Sequence, residues 1–436
     1  MRKDWSYKAL GDLCQIIGGG TPSKRNSAFY DGDIPWATVR DMRHETLSHT
    51  ECRISEEAIE SRSTNIIPAG NVVIATRVGL GKVCVLGQDT AINQDLRGIV
   101  PNTNNLDVRF LFRWFQSVAD VIESEGTGAT VKGVKLPFIK SLLVPVPSVG
   151  EQKRIVAILD EAFAGIDAAI ANTEKNLANA RELFEKFTSE VIFDDPEKQG
   201  WHKKTVSECT LPEKGAIRTG PFGSQLLHGE FVDSGIAVLG IDNAVKNRFM
   251  WGKKRYISEE KYEQLKRYTV RPGDVLITIM GTCGRCAIVP ENVPTAINTK
   301  HLCCISLDKS ICLPEFLHAY FLYHPVARQF LESRAKGSIM AGLNMGIIKE
   351  LPVWLPGIDE QRRVVARVGE LYNEILRLQS VYEQKCSALM ELKQSLLQKA
   401  FSGELTDELV ERQMDEAVAL VKPPAMQRIS SENSQG

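Results

Sequence analysis

Two glycine-containing turns carry residue types that could bind a phosphate group or a metal ion. Residues 77–83 resemble a phosphate-binding loop, but Val83 stands where such a loop needs a Ser or Thr hydroxyl for magnesium. Residues 281–286 place Cys283 and Cys286 at the Cys-x-x-Cys spacing of many zinc sites. The corresponding turn in the first half of the chain has only Cys84. We therefore expect the glycines to shape both turns, and we predict neither a nucleotide site nor a metal site.

Other patterns that would indicate catalysis are missing from the sequence. The seven histidines have no metal-ligand or nucleophile spacing. The chain has no Gly-x-Gly-x-x-Gly fingerprint and no Asn/Asp-Pro-Pro-aromatic motif of the adenine-methyltransferase type. We predict that this chain contains no catalytic residue and binds no cofactor of its own.

Basic and amide side chains are the remaining candidates for chemistry, because Arg and Lys bind phosphates or guanine edges and Asn and Gln bind adenine edges. The net charge of −1 neither favours nor excludes a nucleic acid. By segment it is +1 for residues 1–147, −5 for 148–200, +6 for 201–356, +1 for 357–402 and −4 for 403–436. The candidate DNA-binding residues are Lys24, Arg25, Arg40, Arg43, Arg77, Lys82, Arg218, Gln225, Asn243, Lys246, Arg248, Lys253, Lys254, Arg285 and Lys300.

Two long helical stretches must position these residues. Residues 148–193 and 357–402 contain no internal proline and open with Glu-Gln-Lys-Arg and Glu-Gln-Arg-Arg, 209 residues apart. Their apolar stripes advance in steps of three and four with one shared doubled four, which is typical of a coiled coil with a stutter. Each helix would be roughly 65 Å long. The first stripe is Ile155, Leu159, Ala162, Ile166, Ala169, Thr173, Leu177, Ala180, Phe184, Phe187 and Val191.

The two stripes are complementary in size. Ala162, Ala169 and Ala180 of the first stretch correspond to leucines of the second, and large residues opposite small ones favour pairing of unlike helices. We predict an antiparallel pair within one molecule, with a Ser148-x-x-Glu151 capping box at the first helix start. The alternative is two amphipathic helices buried in one large domain.

The globular segments are also duplicated. Residues 1–147 (head 1) predict strands near 33–39, 72–76 and 82–86 and a helix within 106–121. Residues 201–356 (head 2) repeat this plan near 235–239, 271–278 and 313–323. We predict an α+β fold in which two heads, related by a pseudo-two-fold axis, are separated by the two long helices. The predicted segments are head 1, a helix and linker at 148–200, head 2, a helix at 357–402 and a partly disordered tail at 403–436.

The composition places the protein in a broad class. At 436 residues, with 43% apolar and 25% charged residues, the chain is typical of a globular protein with more than one domain. It has no apolar run of about 18 residues and no signal peptide at its start, which predicts a cytoplasmic location. Ten cysteines without a disulfide-scaffold spacing fit a reducing compartment.

Short motifs along nearly the whole chain resemble the specificity subunits of type I restriction-modification systems. They are Gly-Gly-Thr-Pro-Ser-Lys at 19–24, Asp-Ile-Pro-Trp at 33–36, Pro-x-Pro at 145–147 with Glu-Gln-Lys-Arg-Ile at 151–155, Gly-Pro-Phe-Gly-Ser at 220–224, Glu-Gln-Arg-Arg at 360–363 and Lys-Ala-Phe-Ser-Gly-Glu-Leu at 399–405.

The resemblance implies two target-recognition domains, each reading one half of a bipartite target in double-stranded DNA. It also implies helices that bind two modification (adenine methyltransferase) subunits and, through them, restriction subunits. S-adenosylmethionine, ATP and magnesium would then belong to the partner subunits. Two alternatives from other classes stay open, a self-contained DNA methyltransferase or restriction fusion and a coiled-coil scaffold that binds proteins.

Overall fold

The structure is a computed structural model that describes residues 5–128, 132–193, 200–335 and 342–405. The chain forms two compact units. Unit 1 consists of residues 1–174 and 383–436, and unit 2 of residues 175–382, so each long helix is shared between them. Most of the tail predicted to be partly disordered, residues 406–436, lies outside the described residues.

Head 1 lies in unit 1 and is built on two main sheets. A five-stranded sheet has the order β2-β10-β7-β8-β4 and a four-stranded sheet the order β5-β3-β9-β6. The central strand β7, Val72–Ala75, is buried at all four positions, as its continuous apolar sequence predicts. The strands are β1 Ser6–Ala9, β2 Cys14–Gly18, β3 Ile34–Ala37, β4 Thr46–Leu47, β5 Cys52–Ile54, β6 Ile66–Ile67, β7 Val72–Ala75, β8 Val83–Leu86, β9 Thr90–Ile92, β10 Leu96–Pro101 and β11 Leu143–Val146.

The α-helices of head 1 are short and flank these sheets. The predicted helix within 106–121 is divided at Val118 into α3 and α4. Asp107 caps α3 by accepting a hydrogen bond from the backbone N–H of Phe110 at 3.0 Å. The helices are α1 Leu10–Leu13, α2 Glu56–Glu60, α3 Val108–Ser117, α4 Ala119–Ser124 and α5 Leu136–Ser141.

Head 2 lies in unit 2 and repeats the topology of head 1 with one strand fewer in each main sheet. Its sheets have the orders β13-β19-β16-β17 and β15-β14-β18. The strands are β12 His202–Thr205, β13 Ile217–Thr219, β14 Ile236–Leu239, β15 Tyr256–Ile257, β16 Val275–Thr278, β17 Cys286–Ile288, β18 Ala296–Asn298, β19 Leu302–Ile305 and β20 Pro352–Leu355, and the helices are α7 Glu259–Leu265, α8 Pro314–Tyr323, α9 Pro325–Ala335 and α10 Met345–Glu350.

The two long helices are α6, Val149–Phe187, and α11, Ile358–Ser402. The predicted cap of α6 is present, because the backbone N–H of Glu151 donates to the Ser148 hydroxyl at 3.2 Å. In unit 2 the helices pack antiparallel. Arg181 donates to Gln379 at 2.8 Å and the Phe184 ring lies 6.1 Å from Tyr372. In unit 1 the Lys393 ammonium donates to Asp167 at 2.9 Å.

Most of the predicted stripe of α6 is buried or half-buried, with one exception at its end. Val191 is 53% exposed, whereas Thr188 and Ile192 are 0% and 7% exposed. The reason is that α6 continues as a π-helical turn, Thr188–Ile192, whose wider repeat rotates the buried face by about one residue. In α11, Leu378 is 37% exposed.

The Glu-Gln motif at the start of each long helix has a structural role. Gln152 is fully buried; its side-chain amide donates to the carbonyls of Asn105 and Pro147, both at 2.9 Å, and its oxygen accepts from the backbone N–H of Asp107 at 2.7 Å. Gln361 is also fully buried and makes the corresponding three bonds to Ile311, Pro356 and Leu313. Each glutamine therefore fixes its long helix to the helix start of its own head.

Candidate nucleic-acid interface

The two heads share one parallel strand pair, β3 with β9 in head 1 and β14 with β18 in head 2. Head 1 has a second parallel pair, β4 with β8. The carboxyl ends of parallel strands lie at the same sheet edge, so the loops that follow them are neighbours. A glycine loop packs against this edge in both heads. A Cβ on Gly19 would lie 2.1 Å from the Asn93 carbonyl oxygen, and one on Gly220 would lie 1.9 Å from that of Asn298. We call the loops at this end of each head its recognition edge.

The recognition edge of head 1 presents a network of polar groups. Thr21 donates to the Gln94 side chain, and Arg97 donates to the carbonyls of Gln94 and Leu96. Arg77 lies 3.6 Å from a carboxylate oxygen of Asp95. Burial, and then the nearby Arg77 charge, lower the pKa of the Arg97 guanidinium. The network therefore presents two neighbouring arginines whose mutual repulsion an anionic ligand would relieve.

A cationic residue occupies the same position of a hairpin in both heads. The backbone N–H of Ala75 donates to the Lys82 carbonyl at 2.9 Å, and that of Thr278 donates to the Arg285 carbonyl at 2.8 Å. The preceding Gly81 and Gly284 both have φ of +81°, a left-handed conformation that favours glycine. Lys82 and Arg285 are exposed. The predicted glycine role is thus confirmed at this turn, which presents one positive charge in each head.

The recognition edge of head 2 has a higher density of positive charge. The exposed Lys253 and Lys254 precede Arg255, whose guanidinium donates to Asp242 at 2.5 Å. Partial burial lowers the pKa of His301, and the charges of Lys300 and Arg255 lower it further. These groups form a cationic surface that fits a phosphate backbone better than a neutral partner.

The structure places most of the predicted DNA-binding residues at the surface. Two of them already have partners within the protein. The Arg43 guanidinium pairs with Glu51 at 2.5 Å, and the Gln225 side-chain oxygen accepts a hydrogen bond from the Tyr268 hydroxyl at 2.8 Å. Lys300 is half-buried. The exposed candidates are Lys24, Arg25, Arg40, Arg43, Arg77, Lys82, Gln225, Lys246, Arg248, Lys253, Lys254 and Arg285.

Arg218 is a correction to the predicted set. It is 8% exposed, and its guanidinium donates to Asp274 at 2.5 Å, to the Ser306 hydroxyl at 2.9 Å and to the Thr269 carbonyl at 2.6 Å. All of these partners lie inside head 2. Its cationic group therefore satisfies a buried carboxylate and is not available to DNA.

Asn243 is the second correction. It is 2% exposed; its side-chain oxygen accepts from the backbone N–H of Gly240 at 2.8 Å, and its amide donates to the Met250 carbonyl at 2.8 Å. In head 1, Asp41 makes the corresponding cap to the backbone N–H of Thr38 at 2.7 Å. Asn243 is therefore a turn cap whose two polar atoms are already used.

Sequence reasoning missed Gln94, Arg97, Arg255 and Trp251, which lie on or beside the recognition edges. Gln94 lies between β9 and β10 and Arg97 is the second residue of β10, and their sequence gave no signal beyond following the Ala-Ile-Asn run at 91–93. The run Arg248-Phe249-Met250-Trp251-Gly252-Lys253-Lys254-Arg255 did contain a signal, because aromatic and basic residues alternate in many nucleic-acid-binding segments.

Two further observations bear on the chemistry. In the part of the chain that the structure describes, no three His, Cys, Asp or Glu side chains converge as metal ligands would. Burial raises the pKa of the Cys286 thiol, which opposes formation of the thiolate that zinc requires. Within the same ranges, neither the long helices nor the shorter ones have the continuous apolar length of a membrane span.

Comparisons with known proteins agree with a pair of DNA-recognition heads. A family model described as the type I restriction modification DNA specificity domain matches residues 2–179 and 236–381. The type I restriction enzyme MjaIX specificity subunit of Methanocaldococcus jannaschii is 24% identical over 427 residues, covering 92% of this chain and 94% of that protein. The EcoBI specificity subunit of Escherichia coli is 27% identical over 334 residues, covering 72% of this chain and 69% of that one.

Solved structures share the fold. A chain from a study of complex assembly and conformational transition of the type I R-M system aligns with a TM-score of 0.72 at 18% identity, covering 93% of this chain and 99% of that chain. The HsdS subunit from Thermoanaerobacter tengcongensis aligns with a TM-score of 0.54 at 17% identity, covering 93% and 98%. The predicted α+β fold class with duplicated head and helix is confirmed.

These findings define a class of DNA-specificity proteins built from repeated recognition heads. The chain belongs to the family of type I restriction-modification DNA specificity subunits. This membership confirms the family predicted from the sequence. It also supports the interpretation of the chain as a non-catalytic subunit of such a system.

Proposed function

We propose that the chain reads a bipartite, asymmetric DNA target, with one half-site for each head. The observation that carries this proposal is the recognition edge, which has the same glycine, asparagine and cation framework in both heads but different side chains around it. Gly19, Asn93 and Lys82 in head 1 correspond to Gly220, Asn298 and Arg285 in head 2. A shared framework with different neighbours suits two different half-sites on the same kind of ligand.

The charge distribution supports duplex DNA as that ligand. Phosphate contacts supply most of the affinity of such complexes, and base-edge contacts supply the specificity. The exposed lysines and arginines of the two edges can bind phosphates. The amides of Gln94 and Gln225 are of the type that reads adenine, although each is already engaged by a hydrogen bond within the protein.

The long helices support a second part of the proposal, which is that they bind two modification subunits and, through them, restriction subunits. Leu183, Val381 and Met390 of these helices are 68%, 51% and 58% exposed and would be available for apolar contacts with a partner. In this proposal S-adenosylmethionine, ATP and magnesium are bound by the partners. The assembled complex acts in the cytoplasm.

The proposal is tested by selection from random duplexes, using the purified chain together with its modification subunits. We expect a gapped motif with two defined halves. Recovery of no gapped motif would contradict the proposal and favour a protein-binding scaffold. Methyl transfer from S-adenosylmethionine by the purified chain alone would instead indicate a self-contained methyltransferase.

Paired variants test the role of the recognition edge. Lys82→Ala and Arg285→Ala should each weaken DNA binding and reduce the slope of log affinity against log salt by about 1, because each removes one phosphate contact. Lys309→Ala is a matched control, since Lys309 is an exposed lysine beside Gly273 at the opposite end of β16. An effect of Lys309→Ala equal to that of Arg285→Ala would show that the recognition edge is not the DNA surface.

A further inference from the structure

Trp251 differs from the other tryptophans of the chain. The sequence contains six, and all of them lie in described ranges. Trp5, Trp36, Trp114 and Trp201 are at most 8% exposed and Trp354 is half-buried, whereas Trp251 is 58% exposed. A large aromatic side chain at this exposure leaves apolar surface in contact with water, which is unfavourable unless a ligand covers it.

The loop that presents Trp251 is fixed on both sides. Before the tryptophan, the backbone N–H of Met250 donates to the Asn243 carbonyl at 3.2 Å, and the Asn243 amide donates to the Met250 carbonyl at 2.8 Å. After it, the backbone N–H of Lys253 donates to Asp242 at 2.6 Å. Trp251 and Gly252 thus form the tip of a loop whose base is held by Asp242 and Asn243.

Close packing of the loop on Asp242 requires a glycine beside the tryptophan. A Cβ on Gly252 would lie 1.8 Å from an Asp242 carboxylate oxygen, which no side chain could occupy. The other Asp242 oxygen accepts from Arg255 at 2.5 Å. On the near side, the Phe249 ring contacts the indole edge to face, with ring centroids 5.3 Å apart. The indole is therefore preorganised rather than loosely exposed.

The charge around the tip indicates the kind of surface that covers it. Arg248, Lys253 and Lys254 are exposed on the same loop, and Asp242 is already neutralised by Arg255. Cationic side chains on both sides of a protruding aromatic ring match a polyanion with stacked aromatic rings. An acidic protein surface would match the cations but offers no stacked rings for the indole.

Head 1 does not share this feature, although its strands align with those of head 2. Ile34 pairs with Ile54 in head 1 as Ile236 pairs with Ile257 in head 2. Ser48 precedes Ile54 by the same number of residues as Trp251 precedes Ile257, so Ser48 occupies the position of Trp251. The charged residue nearest to Ser48 in this loop, Glu51, pairs with Arg43. The aromatic tip is therefore specific to head 2.

We propose that Trp251 inserts as a wedge at one base step of the half-site bound by head 2, and that it stacks on the base exposed there. The inference rests on the proposed function, since it requires that head 2 binds duplex DNA. Inserted apolar wedges partly unstack a step and bend the duplex, so the sequence at that step is recognised through the ease with which it unstacks. Head 1 then binds its half-site without a wedge.

The test uses the full chain in complex with its modification subunits and duplexes that carry its selected target. 2-Aminopurine, which becomes brighter when it loses its stacking neighbours, replaces single bases at successive positions of both half-sites. We expect one position in the head 2 half-site to become several-fold brighter with the wild-type complex, and Trp251→Ala to abolish that change and weaken binding roughly ten-fold. Trp251→Phe should restore part of both effects.

Ser48→Ala is the matched variant in head 1 and should change neither brightness nor affinity. A melting temperature of Trp251→Ala equal to that of the wild type would show that the variant is folded. The inference is overturned if no position brightens in a Trp251-dependent manner, or if Trp251→Ala binds the target as tightly as the wild type. If either result is obtained while the complex still selects a gapped motif, the proposed function stands and only the wedge is excluded. If the complex selects no gapped motif, the proposed function itself is contradicted.

Discussion

The two heads share a backbone plan but differ in their buried charges. In head 1, Arg113 is 2% exposed and donates to Glu45 and to Asp160 of α6, both at 2.5 Å, while it lies over the Phe163 ring at 4.8 Å. In head 2 the buried pair is Arg218 with Asp274, and both residues lie within the head. Contacts that satisfy the backbone, such as the Gln152 and Gln361 bonds, are the same in both heads, whereas buried ion pairs are not.

This difference shows how each head is attached to its part of the long helices. Unit 1 uses charge, through Arg113 and Asp160. Unit 1 also has a ring contact, between Phe110 and Phe401 of α11 at 5.1 Å. In unit 2 the Phe184 ring of α6 contacts Tyr323 at 5.2 Å, and the ion pair to α6, Arg328 with Glu185 at 3.6 Å, is about half exposed. In head 2, the His318 Nε2–H donates to the Asn247 carbonyl oxygen at 2.9 Å. The attachment of head 1 should therefore depend more on charge than that of head 2.

The largest expected effect is that of Arg218→Met. The change leaves Asp274, which is 3% exposed, without its cation, and breaking a buried pair typically costs about 3–5 kcal/mol. Urea denaturation measures the loss of unfolding free energy. Arg271→Met is the control, because its pair with Glu213 is about half exposed and should contribute less than about 1 kcal/mol. Equal effects of the two variants would contradict the buried structural role of Arg218.

Acidification should destabilise unit 2 through His324. Burial lowers its pKa to about 4, below the value of about 6.5 for an unfolded chain. Between these two values the unfolded state binds more protons, so the unfolding free energy falls as pH falls from 6.5 to 4, by about 3 kcal/mol. His324→Asn, which keeps an acceptor for the Val326 N–H, should lose this part of the pH dependence. An unchanged pH dependence of the unfolding free energy in the variant would contradict the role assigned to His324.

Arg113→Met should have a smaller effect than Arg218→Met. Glu45 and Asp160 are about 40% exposed, so water can solvate them once the guanidinium is gone, and we expect a loss of about 2 kcal/mol in urea. Arg109 pairs with the same two carboxylates at 3.4–3.5 Å but is 38% exposed, so Arg109→Met should cost less than about 1 kcal/mol. A larger loss of unfolding free energy from Arg109→Met than from Arg113→Met would contradict the assignment of Arg113 as the main partner of Glu45 and Asp160.

The smallest effects test the shared part of the plan. Gln152→Ala and Gln361→Ala each remove three buried hydrogen bonds of the same geometry, and each should destabilise the chain by about 1–2 kcal/mol. Differential scanning calorimetry can compare the two variants at equal concentration. Losses that differ by more than about 1 kcal/mol would show that the two heads do not use this contact equivalently.

Much of the fold could be predicted from the sequence because it depends on periodic patterns. The apolar stripe predicted the buried face of α6 from Ile155 to Phe184, and the apolar run at 72–75 predicted a central strand. The π-helical turn at Thr188–Ile192 could not be predicted, since it changes the repeat of an otherwise continuous pattern. The exposure of Leu378 could not be predicted either, because an apolar stripe does not specify which of its positions are covered.

The candidate site was harder to predict than the fold. Residue type identified Lys82 and Arg285 as candidates, but it also selected Arg218 and Asn243, which are buried. Their burial depends on partners distant in sequence, such as Asp274 for Arg218. Arg97 was missed for the converse reason, because only the fold brings it beside the loops of the parallel strand pair. Arg255 ends a run of aromatic and basic residues that could have indicated it.

The central claim is that each head reads one half-site, and a head exchange tests it most directly. Residues 201–356 are replaced by the corresponding segment of a related specificity subunit that has a different target, and methylome sequencing of cells carrying the assembled system reports the new motif. The account predicts that one half of the gapped motif changes while the other half is retained. A change in both halves, or in neither, would contradict it.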